Sequence, residues 1–246
     1  MPASDAELYK AHVQNLRSVE DGLAHIGRDL NRAISNDDTR LTETLKNLSL
    51  LLVGAWAECR LKKLLYEPSG LSGDDRANIV AQRAQSDRWK KALELGFRKR
   101  YNIRRAAVTE SSVGGTASFR YNALQSLINN ELNPLIELRN TLAHGQWARP
   151  LNSPETDISG TLIAAMAQEN ALSIKFKVAL IAGLSDLIHD LLAATSFERD
   201  FDRHYHRIVT TRTNLERRSY SSWRQGMIEK HIRGREKRNQ AIRAAD

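Results

Sequence analysis

Arg139, Asn140 and His144 lie close together in the stretch Glu137-Leu138-Arg139-Asn140-Thr141-Leu142-Ala143-His144-Gly145. Histidine carries the side chain whose unperturbed pKa lets it both take and give a proton near neutrality. Arginine is permanently charged, and its planar fork matches phosphate oxygens. An asparagine one helical turn before the histidine can orient the imidazole or hold a phosphate. These are the parts needed to cleave RNA through its own 2′-hydroxyl: a base to activate it, a cation for the charge building on the phosphorane, and an acid for the leaving oxygen. Such a reaction demands no metal and no cofactor, and DNA, lacking the 2′-hydroxyl, cannot undergo it. The plainer account is an arginine that caps a helix and a histidine that packs. The residues by themselves favour that account.

The trio ends an apolar run. Leu124, Leu127, Ile128, Leu132, Leu135, Ile136, Leu138 and Leu142 recur mostly three or four apart, which is one face of a helix. Gly145 supplies a C-cap, and Pro150 keeps the helix from resuming at once. The helix is expected from about Ser118, with Pro134 interrupting it, Asn133 capping the restart, and a kink re-aiming the end that carries the trio. Asn140 and His144 share a stripe, whereas Arg139 is turned about 100° from Asn140. A second surface must therefore complete any site that uses all three.

The rest of the chain reads as helix as well. Amphipathic or apolar runs predict helices over Asp5–Ser35, Thr39–Tyr66, Asp74–Phe97 and Ala171–Ser196, with loops over Ser111–Ser118 and Trp147–Ser159. Of these, Thr39–Tyr66 is apolar around most of its circumference, which suggests a central position. An apolar fraction of 41%, a charged fraction of 27%, and only five prolines in 246 residues fit a globular helical protein. No strand-like alternation appears. The fold class read from this is all-α: an up-and-down antiparallel helical bundle over residues 1–196. A basic helical extension over residues 197–246 would pack on the bundle or project from it.

The formal charge is +8 with a pI near 9.7, which points to a polyanionic partner. Arg98, Lys99, Arg100, Tyr101, Arg104 and Arg105 place bases beside an aromatic, a combination that suits phosphate contact and base stacking. Such a run is more usually a solvated surface. Residues 195–246 carry a net charge of +6, and this segment too is read as holding an RNA backbone. Asp200, Asp202, His204 and His206 have helical spacing that permits an O/N metal pair, but a salt-bridged face is the commoner outcome, and no metal is expected. The single cysteine, Cys59, excludes an intrachain disulfide and a cysteine-rich metal site. Met1 to Asn15 has no signal-peptide core, and the longest apolar run is half of what a membrane helix needs. A cytoplasmic location without membrane association is the expectation.

Arg139, Asn140 and His144 match, residue by residue, the R-N-x-x-x-H form of the R-x4-H signature, so the chain resembles the HEPN superfamily. Further likeness to a stand-alone bacterial branch tied to defence loci lies in Trp56-Ala57-Glu58-x-Arg60-Leu61, Arg88-Trp89, Phe97-Arg98-Lys99-x-Tyr101 and Phe197-Glu198-Arg199-Asp200-Phe201-Asp202-x-His204-Tyr205. The resemblance covers about residues 40–210. It implies a helical bundle acting as a metal-independent endoribonuclease, with signatures from two protomers of a homodimer facing each other across one cleft. It also implies His144 for proton transfer, Arg139 for phosphate stabilisation and Asn140 for positioning. On this account Glu58 is a partner for Arg139; otherwise it is an exposed carboxylate beside Arg60 and Lys62. Trp147 would cover the rim of the cleft or pack. Gln146 stands where some HEPN toxins carry a tyrosine modified by a nucleotidyltransferase antitoxin, so that mode of control is not expected, although an antitoxin or defence-system partner remains part of the picture. The rival readings are a non-catalytic RNA-binding or assembly module, and a nucleotide-sensing subunit of a defence system.

Overall fold

The computed structural model of the chain describes residues 2–103 and 106–244. It is an all-α helical bundle. The helices are α1 (Asp5–Ser35), α2 (Thr39–Leu65), α3 (Gly73–Val80), α4 (Gln85–Arg100), α5 (Glu110–Val113), α6 (Gly115–Leu127), α7 (Asn133–Ala143), α8 (Gly160–Gln168), α9 (Ala171–Ala193), α10 (Phe197–Arg217) and α11 (Tyr220–Arg243). Among the described residues, the only β-type pairing is an isolated antiparallel bridge between Leu151 and Ile158. No helix among them is long and apolar enough to cross a membrane.

Local chemistry sets the helix ends. Ser4 and Glu7 form a reciprocal capping box at the start of α1, Asp38 caps α2 through the Leu41 amide, and Asn170 caps α9. α1 and α2 form an antiparallel hairpin, since Tyr9 bonds to Glu67 at one end while Glu20 accepts from the Trp56 indole further along. α9 and α10 form another, with Asp190 near His204 and Phe176 beneath Arg218. As its apolar circumference predicts, α2 is central, packing on α1, α4, α7 and α9.

The core is a single cluster drawn from all the long helices except α11. Phe97 lies at its centre, edge-on to Tyr121 and Phe197 with ring centroids 5.2 and 5.8 Å apart. The boundary expected at residue 196 is therefore not the edge of the bundle. Phe197, Phe201 and Ile208 lie on one stripe of α10 and are buried, so α10 belongs to the core, whereas α11, alone among the long helices, has no buried residue.

Other differences from the sequence reading are local. The single helix expected over Asp74–Phe97 is two, broken between Val80 and Gln85. α5 and the start of α6 occupy the expected loop at Ser111–Ser118, and α8 follows the loop that begins at Trp147. Pro134 does not break the motif helix. Instead, α6 passes into α7 through one π turn, Ile128–Leu132, with Pro134 in the first turn of α7, where a missing amide costs little.

Candidate functional site

His144 is the C-cap of α7. Behind it Gly145 adopts φ +77°, the Gln146 amide donates to the Thr141 carbonyl (3.1 Å), and the Gly145 amide donates to Leu142 (3.1 Å). This is a Schellman closure, which needs a left-handed residue in the position Gly145 holds. Trp147 tightens it further, donating its indole N–H to the Leu142 carbonyl at 2.9 Å and packing on the core. His144 is thus fixed at a helix end while its side chain stays exposed, as does that of Asn140.

Arg139 faces the other way, towards α2. Its Nη2 donates to Glu58 Oε2 at 3.2 Å, and its Nη1 donates to Asn140 Oδ1 at 3.0 Å. The stem lies over Gly54, one turn before Glu58 on α2. A Cβ at position 54 would fall 2.3 Å from Arg139 Cγ and 2.5 Å from its Cβ, so only glycine admits this crossing. Gly54 makes room for the stem and Glu58 takes the head. Glu58 also pairs with Lys62 at 2.7 Å. Partial burial works to raise the Glu58 carboxyl, but Lys62, by hydrogen bond and by charge, together with Arg139 and Arg88, outweighs it and holds the group below its ordinary value. Glu58 is therefore an anion paired with Arg139.

Asn140 and His144 border a groove of about 630 Å³ that Arg139 does not line. Its far wall is the segment after α7. There Asn152 Oδ1 accepts from the amides of Thr156 (2.9 Å) and Asp157 (3.2 Å), and the Leu151–Ile158 bridge closes the turn. The Gln146 side chain accepts from the Leu151 amide at 2.9 Å, tying this wall to the helix end. The charged residues lining the groove are Glu137 and Glu155, with no lysine or arginine among its described lining residues. The three residues thus lie on two faces: an arginine held against α2, and an asparagine and histidine opening onto a groove whose charged lining residues are acidic.

The run expected to bind RNA is largely used within the fold. Arg98 pairs with Glu94 (2.7 Å), and Lys99 donates to the carbonyls of Ser69 (2.9 Å) and Gly70. Arg100 donates to Glu198 (2.7 Å) and to the carbonyls of Ala194 and Thr195, and Tyr101 donates to Glu198 at 3.1 Å. The Arg100 guanidinium leads the effects that hold the Glu198 carboxyl at about 2, and partial burial opposes it. Lys99, Arg100 and Tyr101 clamp the end of α4 to the loop after α2 and to the start of α10, while Arg98 is paired within α4. Arg104 and Arg105 lie outside the described residues.

The second polar cluster is divided among ion pairs. Asp200 is held by Arg199 (2.8 Å) and Arg203 (3.3 Å), Asp202 lies 3.6 Å from Arg120, and His204 lies 3.8 Å from Asp190. No group of three or more His, Cys, Asp or Glu side chains is placed to hold a metal among the described residues. Sequence reasoning missed Gly54, whose role shows only through its contact with Arg139, and Asn152, whose position in a turn was its one signal. Comparison with family models gave no match, and comparisons with curated proteins and with solved structures gave none either.

Proposed function

We propose that the protein is an endoribonuclease that cleaves RNA by 2′-hydroxyl transesterification, using Arg139, Asn140 and His144 at a site completed by a second copy of the chain. The observation that carries the reading is the division of these groups between two faces of α7. His144 is exposed beside a groove without a cation, while Arg139 is anchored by Glu58 and Asn140 with its guanidinium turned to α2. A two-fold pairing about the end of α7 brings two arginines and two histidines together without straining either helix.

In that arrangement one His144 accepts the 2′-hydroxyl proton as the 2′-oxygen attacks phosphorus. The partner's His144, protonated, gives its proton to the departing 5′-oxygen. Arg139 stabilises the phosphorane oxygens, and Asn140 orders the arginine through the bond it already makes. The products are a 2′,3′-cyclic phosphate and a 5′-hydroxyl end. A bacterial defence or toxin role, with an antitoxin or defence-system partner, is the setting that the resemblance to HEPN ribonucleases suggests.

The test incubates wild type, His144→Ala and Arg139→Ala with total RNA in EDTA and analyses the new ends. Wild type is expected to leave cyclic phosphate and 5′-hydroxyl ends, and both variants are expected to lose cleavage while keeping their helical content and oligomeric state. Cleavage persisting in both variants overturns the mechanism.

A further inference from the structure

We propose that the exposed basic stripe of α11, formed by Lys230, Arg233 and Lys237, is the surface that holds the RNA backbone. α11 carries seven arginine and lysine residues against Glu229 and Glu236. Its first half is docked. Trp223 and Met227 line one groove together with Leu23 and Leu30 of α1 and Val178 of α9, Arg224 pairs with Asp37, and His231 Nδ1 is 3.0 Å from the Ser35 carbonyl oxygen. Beyond Gly234 every described residue of the helix is exposed, so its end runs clear of the bundle.

Positions 230, 233 and 237 share one helical stripe, extending about 10 Å along the axis. None of the three makes an ion pair among the described residues, whereas Arg98 and Arg100, where RNA contact was expected, are both ion-paired. Like charges at this spacing repel and weaken a helix. A line of phosphates offsets that repulsion. The groove beside His144 has no cation of its own, so a strand reaching it needs its charge neutralised elsewhere on the protein.

The pattern fits a nucleic-acid strand better than an anionic bilayer. Ile228, Ile232 and Ile242 lie on the side of the helix away from the basic stripe, and Arg235 and Asn239 interrupt them, so no continuous apolar face is available for insertion. The identification of the polyanion as RNA rests on the ribonuclease reading, but holding and cutting are separable.

The experiment measures binding of a fluorescent single-stranded RNA 20-mer across a salt series in EDTA, in a His144→Ala background so that nothing is cut. The Lys230→Gln/Arg233→Gln/Lys237→Gln variant is expected to bind about tenfold more weakly near 0.15 M salt. Its slope of log K against log salt is expected to be shallower by about 2, from three phosphate contacts at about 0.7 each. A control variant, Lys10→Gln/Arg17→Gln/Arg40→Gln, removes the same charge from exposed positions on α1 and α2 and is expected to lose less than half as much. An unchanged slope in the α11 variant, or an equal loss in the control, overturns the proposal. So does an α11 variant that loses only its binding to vesicles of anionic phospholipid. Absence of cleavage by the wild type would count against the ribonuclease reading and leave this binding result to be judged separately.

Discussion

Gly54→Ala tests both the packing of α7 on α2 and the role given to Arg139. The new methyl carbon would lie 2.5 Å from Arg139 Cβ and 2.3 Å from Cγ. Ordinary carbon–carbon contact is about 3.5–4.0 Å, so the overlap is on the order of 1 Å. A rotamer change can move Cγ but not Cβ, which is fixed to the backbone of α7. The helices must therefore separate. Alanine in a helix interior is favoured over glycine by about 1 kcal/mol, while forcing a close-packed crossing apart costs about 1–3 kcal/mol. The matched control is Gly27→Ala on α1, where an added Cβ meets nothing within 4 Å and only the helix-propensity gain applies. The two variants should differ by about 1–3 kcal/mol, or about 2–12 °C in melting temperature, with Gly27→Ala the more stable. Activity should separate them further. A displacement of this size pulls Arg139 away from its 3.2 Å contact with Glu58, and a misplacement of about 1 Å costs on the order of 100-fold in rate. Thermal unfolding and cleavage of total RNA in EDTA read the two effects. Equal stabilisation by both substitutions would refute the close crossing. A destabilised Gly54→Ala enzyme with full activity would show that the placement of Arg139 does not matter to the chemistry.

Two other perturbations probe the same region. Glu58 is held below its ordinary pKa, so its stabilising contribution is complete above the usual carboxylate range and is lost as pH falls through the lowered folded value. Glu58→Gln should accordingly be less stable than wild type at neutral pH, with the gap closing towards about pH 3; urea denaturation at both pH values checks this, and a gap that widens in acid would contradict it. Asn152→Ala removes the acceptor for the Thr156 and Asp157 amides, a local loss of about 1–2 kcal/mol. Hydrogen exchange at those two amides should accelerate about tenfold while amides of α2 and α9 stay protected, and unchanged rates would mean that the wall of the groove does not depend on this side chain.

Much of this arrangement is legible in the sequence, because local rules dominate where it is. The apolar periodicity of α1, α2 and α9 survives into their buried faces, and Gly145 ends α7 as its place after the last apolar residue predicts. Facts that depend on distant partners are not legible. Nothing local distinguishes Gly54 from a tolerated helix glycine, because the reason for it is a side chain on another helix. Lys99, Arg100 and Tyr101 read as a free surface because their partners, Glu198 and the carbonyls of Ser69, Gly70, Ala194 and Thr195, are remote in the chain. α8 is not legible because it is a short helix without a strong polar face.

The difference between α10 and α11 is legible in the sequence. Both follow the last long apolar helix, and the net charge of +6 over residues 195–246 groups them into one extension. Yet Phe197 and Phe201 are one turn apart and Ile208 continues their stripe, and all three enter the core, while the isoleucines of α11 are interrupted by Arg235 and Asn239. Stripe continuity, not composition, decides which of the two helices is consumed by the fold and which is left exposed. The same logic applies inside the signature. Arg139 is committed to Glu58, and His144 makes no side-chain hydrogen bond or ion pair among the described residues, so on the proposed reading one chain presents two half-sites on different faces of α7, and a second copy brings both to one phosphate.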